Sequence, residues 1–80
     1  MKSYELYIKT DCKFCKKAID LLSLKGVPFV AIVCDKDPIY LEAKKQDYGW
    51  PTVPIVIEQN DAEKKVIGGC DELEKELLNG

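Results

Sequence analysis

Two cysteines separated by two residues, Cys12-Lys13-Phe14-Cys15, are the residues of this chain best suited to chemistry. Thiols exchange electrons when a thiolate attacks a disulfide sulfur, and the setting favours that reaction. Leu6-Tyr7-Ile8 reads as the end of a strand and residues 15–22 as a helix. Cys12 therefore falls where a strand hands over to a helix N-terminus. Unpaired backbone N–H groups and the positive end of the helix dipole favour an anion there, and the thiolate is the reactive form of cysteine. Cys15, one turn further on, falls on the same helical face. That spacing suits an unstrained disulfide, whose Cα atoms must lie roughly 4.4–6.8 Å apart.

The elements that must position these thiols are legible in the pattern. Tyr4, Leu6 and Ile8 alternate with Ser3, Glu5 and Tyr7, which predicts a strand near 3–8. The next helix keeps Cys15, Ala18, Ile19 and Leu22 on one side and ends at Lys25-Gly26. Residues 28–33 form a continuous apolar, β-branched run, which predicts a buried strand parallel to the first. Asp37-Pro38, a capping residue followed by proline, predicts a second helix running through Leu41 and Ala43 to Tyr48-Gly49. A third strand is expected at 54–57 and a fourth at 65–67, joined by a polar hairpin containing Asn60-Asp61. Gly68-Gly69 ends that strand, and Asp71 with Glu74 predicts a capping box for a last helix carrying Leu73 and Leu77. The order β-α-β-α-β-β-α is an α/β arrangement, a four-stranded mixed sheet flanked by helices, in one domain over 1–80.

Three segments far apart in sequence then share one end of the sheet: Cys12-Lys13-Phe14-Cys15, Thr52-Val53-Pro54 and Gly68-Gly69-Cys70-Asp71. In this order and spacing they resemble the glutaredoxins, over nearly the whole chain. The resemblance implies a minimal thioredoxin fold, a cis bond at Val53-Pro54 and glutathione as reductant. It also implies that Cys12 is the nucleophile, while Cys15 resolves the mixed disulfide or is dispensable. Two departures stand out. Many glutaredoxins carry Pro-Tyr between the cysteines, where Lys13-Phe14 adds a cation and keeps an aromatic surface without its hydroxyl. Trp50-Pro51 stands where many carry a basic and a small polar residue; Trp50 is open to stacking on a protein substrate or to packing locally, and the Val53-Pro54 loop with Trp50 is expected to form one wall of the site.

Glutathione has two carboxylates, one ammonium and a thiol, and the residues can meet each. Lys9 suits one carboxylate as a point charge, and the backbone N–H groups at Gly69 and Cys70 suit the other. Asp71 suits the ammonium. Val53, just before a strand-opening proline, leaves backbone groups free for an extended peptide, with Phe14 and Pro54 beside it. Each residue also has a structural use: a solvated lysine, a helix cap, a glycine turn. Cys34 ends a strand and reads as an inert core residue, whereas the sequence leaves the role of the Cys70 thiol open, since its backbone can serve a ligand without it.

Composition narrows the alternatives. Eighty residues leave room for one core, and 46% hydrophobic with 32% charged residues is ordinary globular composition. A net charge of −2 with twelve lysines and no arginine gives no reason to expect nucleic-acid binding. The chain opens into Met1-Lys2-Ser3-Tyr4-Glu5 without the apolar region of a signal peptide, and no stretch is long enough to span a membrane. The expectation is a cytoplasmic monomer with no permanently bound cofactor or metal. Four cysteines with one close pair and no histidine fit neither a structural zinc site nor a secreted disulfide scaffold. Glutathione and disulfide-bearing or glutathionylated proteins are the expected partners, ribonucleotide reductase among them by resemblance. Two rivals are a glutaredoxin-like donor reduced by thioredoxin reductase and a glutathione-ligated iron–sulfur carrier.

Overall fold

The computed structural model describes residues 2–79. Its elements are β1 (Ser3–Ile8), α1 (Lys13–Lys25), β2 (Phe29–Val33), α2 (Pro38–Tyr48), β3 (Ile55–Gln59), β4 (Lys64–Gly68) and α3 (Cys70–Asn79). The sheet order is β2-β1-β3-β4, with β1 and β2 parallel and the other pairs antiparallel. This is the element order expected from the sequence, and a mixed four-stranded sheet.

Successive side chains of a strand point to opposite faces, and the central strands use both. Tyr4, Leu6 and Ile8 of β1 join Val56 of β3 in a core with Ala18 and Leu22 of α1 and Leu73 of α3. Tyr7 of β1 joins Ile55 and Ile57 in a second core on the other face, closed by Cys34 and Leu41 of α2. Helices α1 and α3 thus cover one face and α2 the other. Leu6, Leu22, Ile55, Ile57 and Leu73 are fully buried, each contributing about 1.5–3 kcal/mol by leaving water.

Strand β2 departs from expectation. It is parallel to β1 as predicted, but it is an edge strand, with Val30 56% and Val33 55% exposed. A run of apolar residues is buried only where both faces are covered. Val30 stands opposite Glu5 on the α2 face and Val33 opposite Ile8 on the α1 face, so this edge is left partly open on both.

The start of α3 also differs. The helix begins at Cys70, and Glu72 Oε1 accepts the Gly69 N–H at 3.0 Å. The cap is therefore the Glu72 carboxylate on the Gly69 N–H, half of a capping box, rather than a box of Asp71 with Glu74. Glu74 lies 3.7 Å from Lys17 and ties α3 to α1. The Val53-Pro54 peptide bond is cis, and β3 follows it directly.

Candidate active site

Cys12 is the N-cap of α1. Its backbone is extended (φ −148°, ψ 106°), and its Sγ accepts the Cys15 N–H at 3.2 Å. Its carbonyl accepts the Lys16 N–H at 3.1 Å and so closes the first helical turn. A sulfur in the N-cap position takes the place of the serine or aspartate oxygen that usually caps a helix. Negative charge on Cys12 is then met by a backbone N–H and by the helix dipole together. The loop leading to it is anchored by Asp35. The Thr10 N–H donates to one Asp35 carboxylate oxygen at 2.9 Å, and the Thr10 hydroxyl donates to the other. These hydrogen bonds, the hydroxyl's first, hold the Asp35 carboxyl below its ordinary range.

The two thiols of the pair differ in environment. Cys12 is partly exposed, while Cys15 is buried at 1% exposure against Ala18, Leu22 and Leu73. Burial pushes the Cys15 thiol up to about 12, and the hydrogen bond to Cys12 adds to the rise. Cys15 is thus a proton-bearing reserve behind an accessible sulfur. Cys70 is buried in the same core, and burial raises its thiol too. Cys34 is buried on the opposite face, its thiol raised by burial and set to donate to the Ile32 carbonyl at 3.4 Å. It packs as the sequence suggested.

A pocket of about 150 Å³ reaches the first turn of α1 at Phe14, while Cys12 and Cys15 are not among its lining residues. Phe14, Val53, Pro54, Gly69, Cys70 and Asp71, six of the residues proposed for glutathione, line it together. Phe14 is 51% exposed, with the Lys13 ammonium 5.6 Å from its ring centre. Lys9 is exposed at the end of β1 and is not among the residues lining this pocket. Its charge acts on Asp35 and Cys34.

The lining also includes Thr52, Trp50 and Glu72. Glu72 was missed in sequence because its cap partner is a glycine, which has no side chain to announce the motif. Trp50 is not an exposed stacking surface. It is partly buried against the core of Tyr7 and Ile55, and its indole lies on Gly68-Gly69. A Cβ on Gly68 would meet the indole Cη2 at 2.8 Å, and Gly68 has φ +123°. Glycine is required there on both counts. No group of three or more His, Cys, Asp or Glu side chains placed to hold a metal ion occurs among the described residues.

The family model for glutaredoxin matches residues 4–61. The chain belongs to the glutaredoxin family. Glutaredoxin 3 of Escherichia coli is 36% identical over 73 residues, covering 91% of this chain and 83% of that protein. The crystal structure of a wheat glutaredoxin superposes with a TM-score of 0.80 at 29% identity, covering 96% of this chain and 70% of that one. A buckwheat glutaredoxin–glutathione complex superposes with a TM-score of 0.78 at 26% identity, covering 99% of this chain and 71% of that one. The fold is the thioredoxin fold of these glutaredoxins. As a glutaredoxin the protein is a glutathione-dependent thiol–disulfide oxidoreductase. No described helix is long and apolar enough to cross a membrane.

Proposed function

We propose that Cys12 is the nucleophile and that glutathione occupies the pocket between Phe14, Val53-Pro54 and Gly69-Cys70-Asp71, with Lys9 meeting its outer carboxylate. The observation that carries this reading is the 3.2 Å contact from the Cys15 N–H to Cys12 Sγ at the start of α1. The Cys12 thiolate attacks one sulfur of a substrate disulfide. A new Cys12–sulfur bond forms, the old bond breaks, and the departing thiolate takes a proton from solvent. With a glutathione mixed disulfide as substrate, a second glutathione thiolate attacks the glutathione sulfur on Cys12. Glutathione disulfide leaves and the Cys12 thiolate returns. With a protein disulfide, Cys15 can instead attack Cys12, releasing the protein thiol and leaving a Cys12–Cys15 disulfide. Two glutathiones then reduce it.

The buried, proton-bearing state of Cys15 supports glutathione as the main resolving thiol near neutral pH. We assign as clients disulfide-bearing or glutathionylated proteins, with ribonucleotide reductase a candidate. We also assign a cytoplasmic monomer without a resident cofactor. Reduction of a glutathione mixed disulfide, coupled to glutathione and its reductase, tests the assignment. Cys12→Ser should abolish turnover. Cys15→Ser should retain it on that substrate and lose most of it on protein disulfides. Equal losses in both variants on both substrates would exclude glutathione as the resolving thiol.

A further inference from the structure

Behind the pocket wall lies a donor that nothing among the described residues uses. The indole Nε1 of Trp50 is shut off from water and has no hydrogen-bond partner among the described residues. Leaving a buried donor unmet is costly, and such exceptions call for an explanation. The position of the ring is not loose. Gly49, left-handed at φ +64°, ends α2, and the Trp50 N–H donates to the Lys45 carbonyl at 3.0 Å, which fixes the backbone. The indole then lies against Gly68-Gly69. Its Nε1 is 3.5 Å from the point where a Gly69 Cβ would sit, and Glu72 Oε1 is 3.2 Å from the same point.

Other donors converge on that corner. The first hydrogen bond within α3 runs from the Leu73 N–H to the Gly69 carbonyl at 3.0 Å. The N–H groups of Cys70, Asp71 and Glu72 therefore have no acceptor inside the helix, and all three residues line the pocket with Trp50. A carboxylate accepts about four hydrogen bonds, more than the helix end alone delivers in one direction.

We propose that Trp50 is a specificity-determining residue whose indole N–H donates to the γ-glutamyl carboxylate of glutathione bound at the start of α3. The inference rests on the glutathione reading above. In this chain a neutral, directional donor stands in the loop where many glutaredoxins carry a basic residue. Glu72 is an exposed residue whose carboxylate flanks the same corner and accepts the Gly69 N–H; under this proposal it gives up that bond and turns to solvent as the ligand carboxylate arrives. A neutral donor selects by geometry rather than by long-range attraction. Discrimination should therefore fall on the presence of that one carboxylate and depend weakly on salt.

The test uses S-methylglutathione, which cannot undergo exchange, and its analogue in which 4-aminobutyrate replaces the γ-glutamyl residue and so lacks only that carboxylate. Trp50→Phe keeps an aromatic ring on the glycines and removes the donor. By calorimetric titration the variant should bind S-methylglutathione about tenfold more weakly, the lower end for a hydrogen bond to a charged group. The decarboxylated analogue should bind both proteins equally. Because Trp50 is the sole tryptophan, the single indole N–H resonance of the unmutated protein gives a second reading. It should shift downfield with S-methylglutathione and stay in place with the analogue. Equal weakening on both ligands, or an unmoved resonance under saturation, would overturn the role of Trp50 alone. Failure of the unmutated protein to bind S-methylglutathione would overturn the glutathione reading with it.

Discussion

Burial of Cys15 makes a quantitative prediction about how a loaded Cys12 is released. With its thiol pushed up to about 12, only about one Cys15 in 10⁵ is ionised at pH 7. A free thiol of pKa ~8.5, as in dissolved glutathione, is about 3% ionised at that pH. Once Cys12 is in a mixed disulfide it carries no charge, so its contribution disappears. Burial, the largest cause, remains. Attack by Cys15 should then climb tenfold for each pH unit well past the range where an ordinary thiol levels off. Between pH 8 and 9.5 the expected rise is about thirtyfold, against about fourfold for a thiol titrating near 8.5. The assay loads Cys12 at low pH by exchange with one equivalent of a symmetrical chromogenic aryl disulfide, which releases one aryl thiolate and leaves the other on Cys12, and then jumps the pH without glutathione. Absorbance then follows release of the aryl thiolate, with Cys15→Ser as the variant that should release none. A rate that levels off below pH 9, or rises less than tenfold over that window, would refute the link between burial and resolution.

Other expectations follow from the start of α3 and from the Cys12 loop. Asp71→Ala should raise the glutathione requirement with little loss of melting temperature, since Glu72 and not Asp71 completes the cap. Glu72→Ala should cost about 1 kcal/mol, a fall of roughly 4–8 °C by calorimetry; the reverse ranking would mean that the cap is misassigned. Gly68→Ala should push the indole off its seat, given a Cβ 2.8 Å from Cη2 at φ +123°, and cost about 1–3 kcal/mol. A melting temperature within error of the parent would contradict it. The Thr10–Asp35 bonds lower the Asp35 carboxyl, so the stability they lend is complete above the unfolded value of ~3.9. It is lost as pH falls through the lower folded value. The Thr10 amide resonance, followed down in pH, should move only below ~3.9; a midpoint above it would show that the tether does not favour the charged form.

The element order, both thiols of the pair and most of the pocket wall were readable from local rules. Asp37-Pro38 marked the start of α2 and Lys25-Gly26 the end of α1, as the structure bears out. These signals act through the backbone of a few neighbouring residues, so they survive without tertiary information. What the sequence hid depends on neighbours across space. The apolar run of β2 carries no mark of being an edge, because sheet order is set by which strands the helices leave room for. Val30 and Val33 look the same in a covered strand and an open one. The α3 cap was misplaced because Asp71/Glu74 and Gly69/Glu72 share one spacing, and the glycine shows no side chain. The seat of Trp50 on Gly68-Gly69 joins residues that no periodicity relates.

The β3–β4 hairpin has a practical use. Because β3 runs antiparallel to β1 with Gln59 opposite Ser3 and Ile55 opposite Tyr7, its tip lies at the far end of the sheet from Cys12. The length of β1 alone puts it roughly 17 Å away. The tip is braced from within, with Asn60 Oδ1 accepting the Ala62 and Glu63 N–H groups at 2.9 Å each. The Ala62 side chain is a single exposed methyl. With twelve lysines, amine coupling gives no single attachment point on this protein, and thiol coupling would consume Cys12, the one cysteine that is not buried. A bio-orthogonal side chain at position 62 would give that single point. An electrode or bead joined there would hold every molecule in the same orientation, with the reactive sulfur turned to the solution.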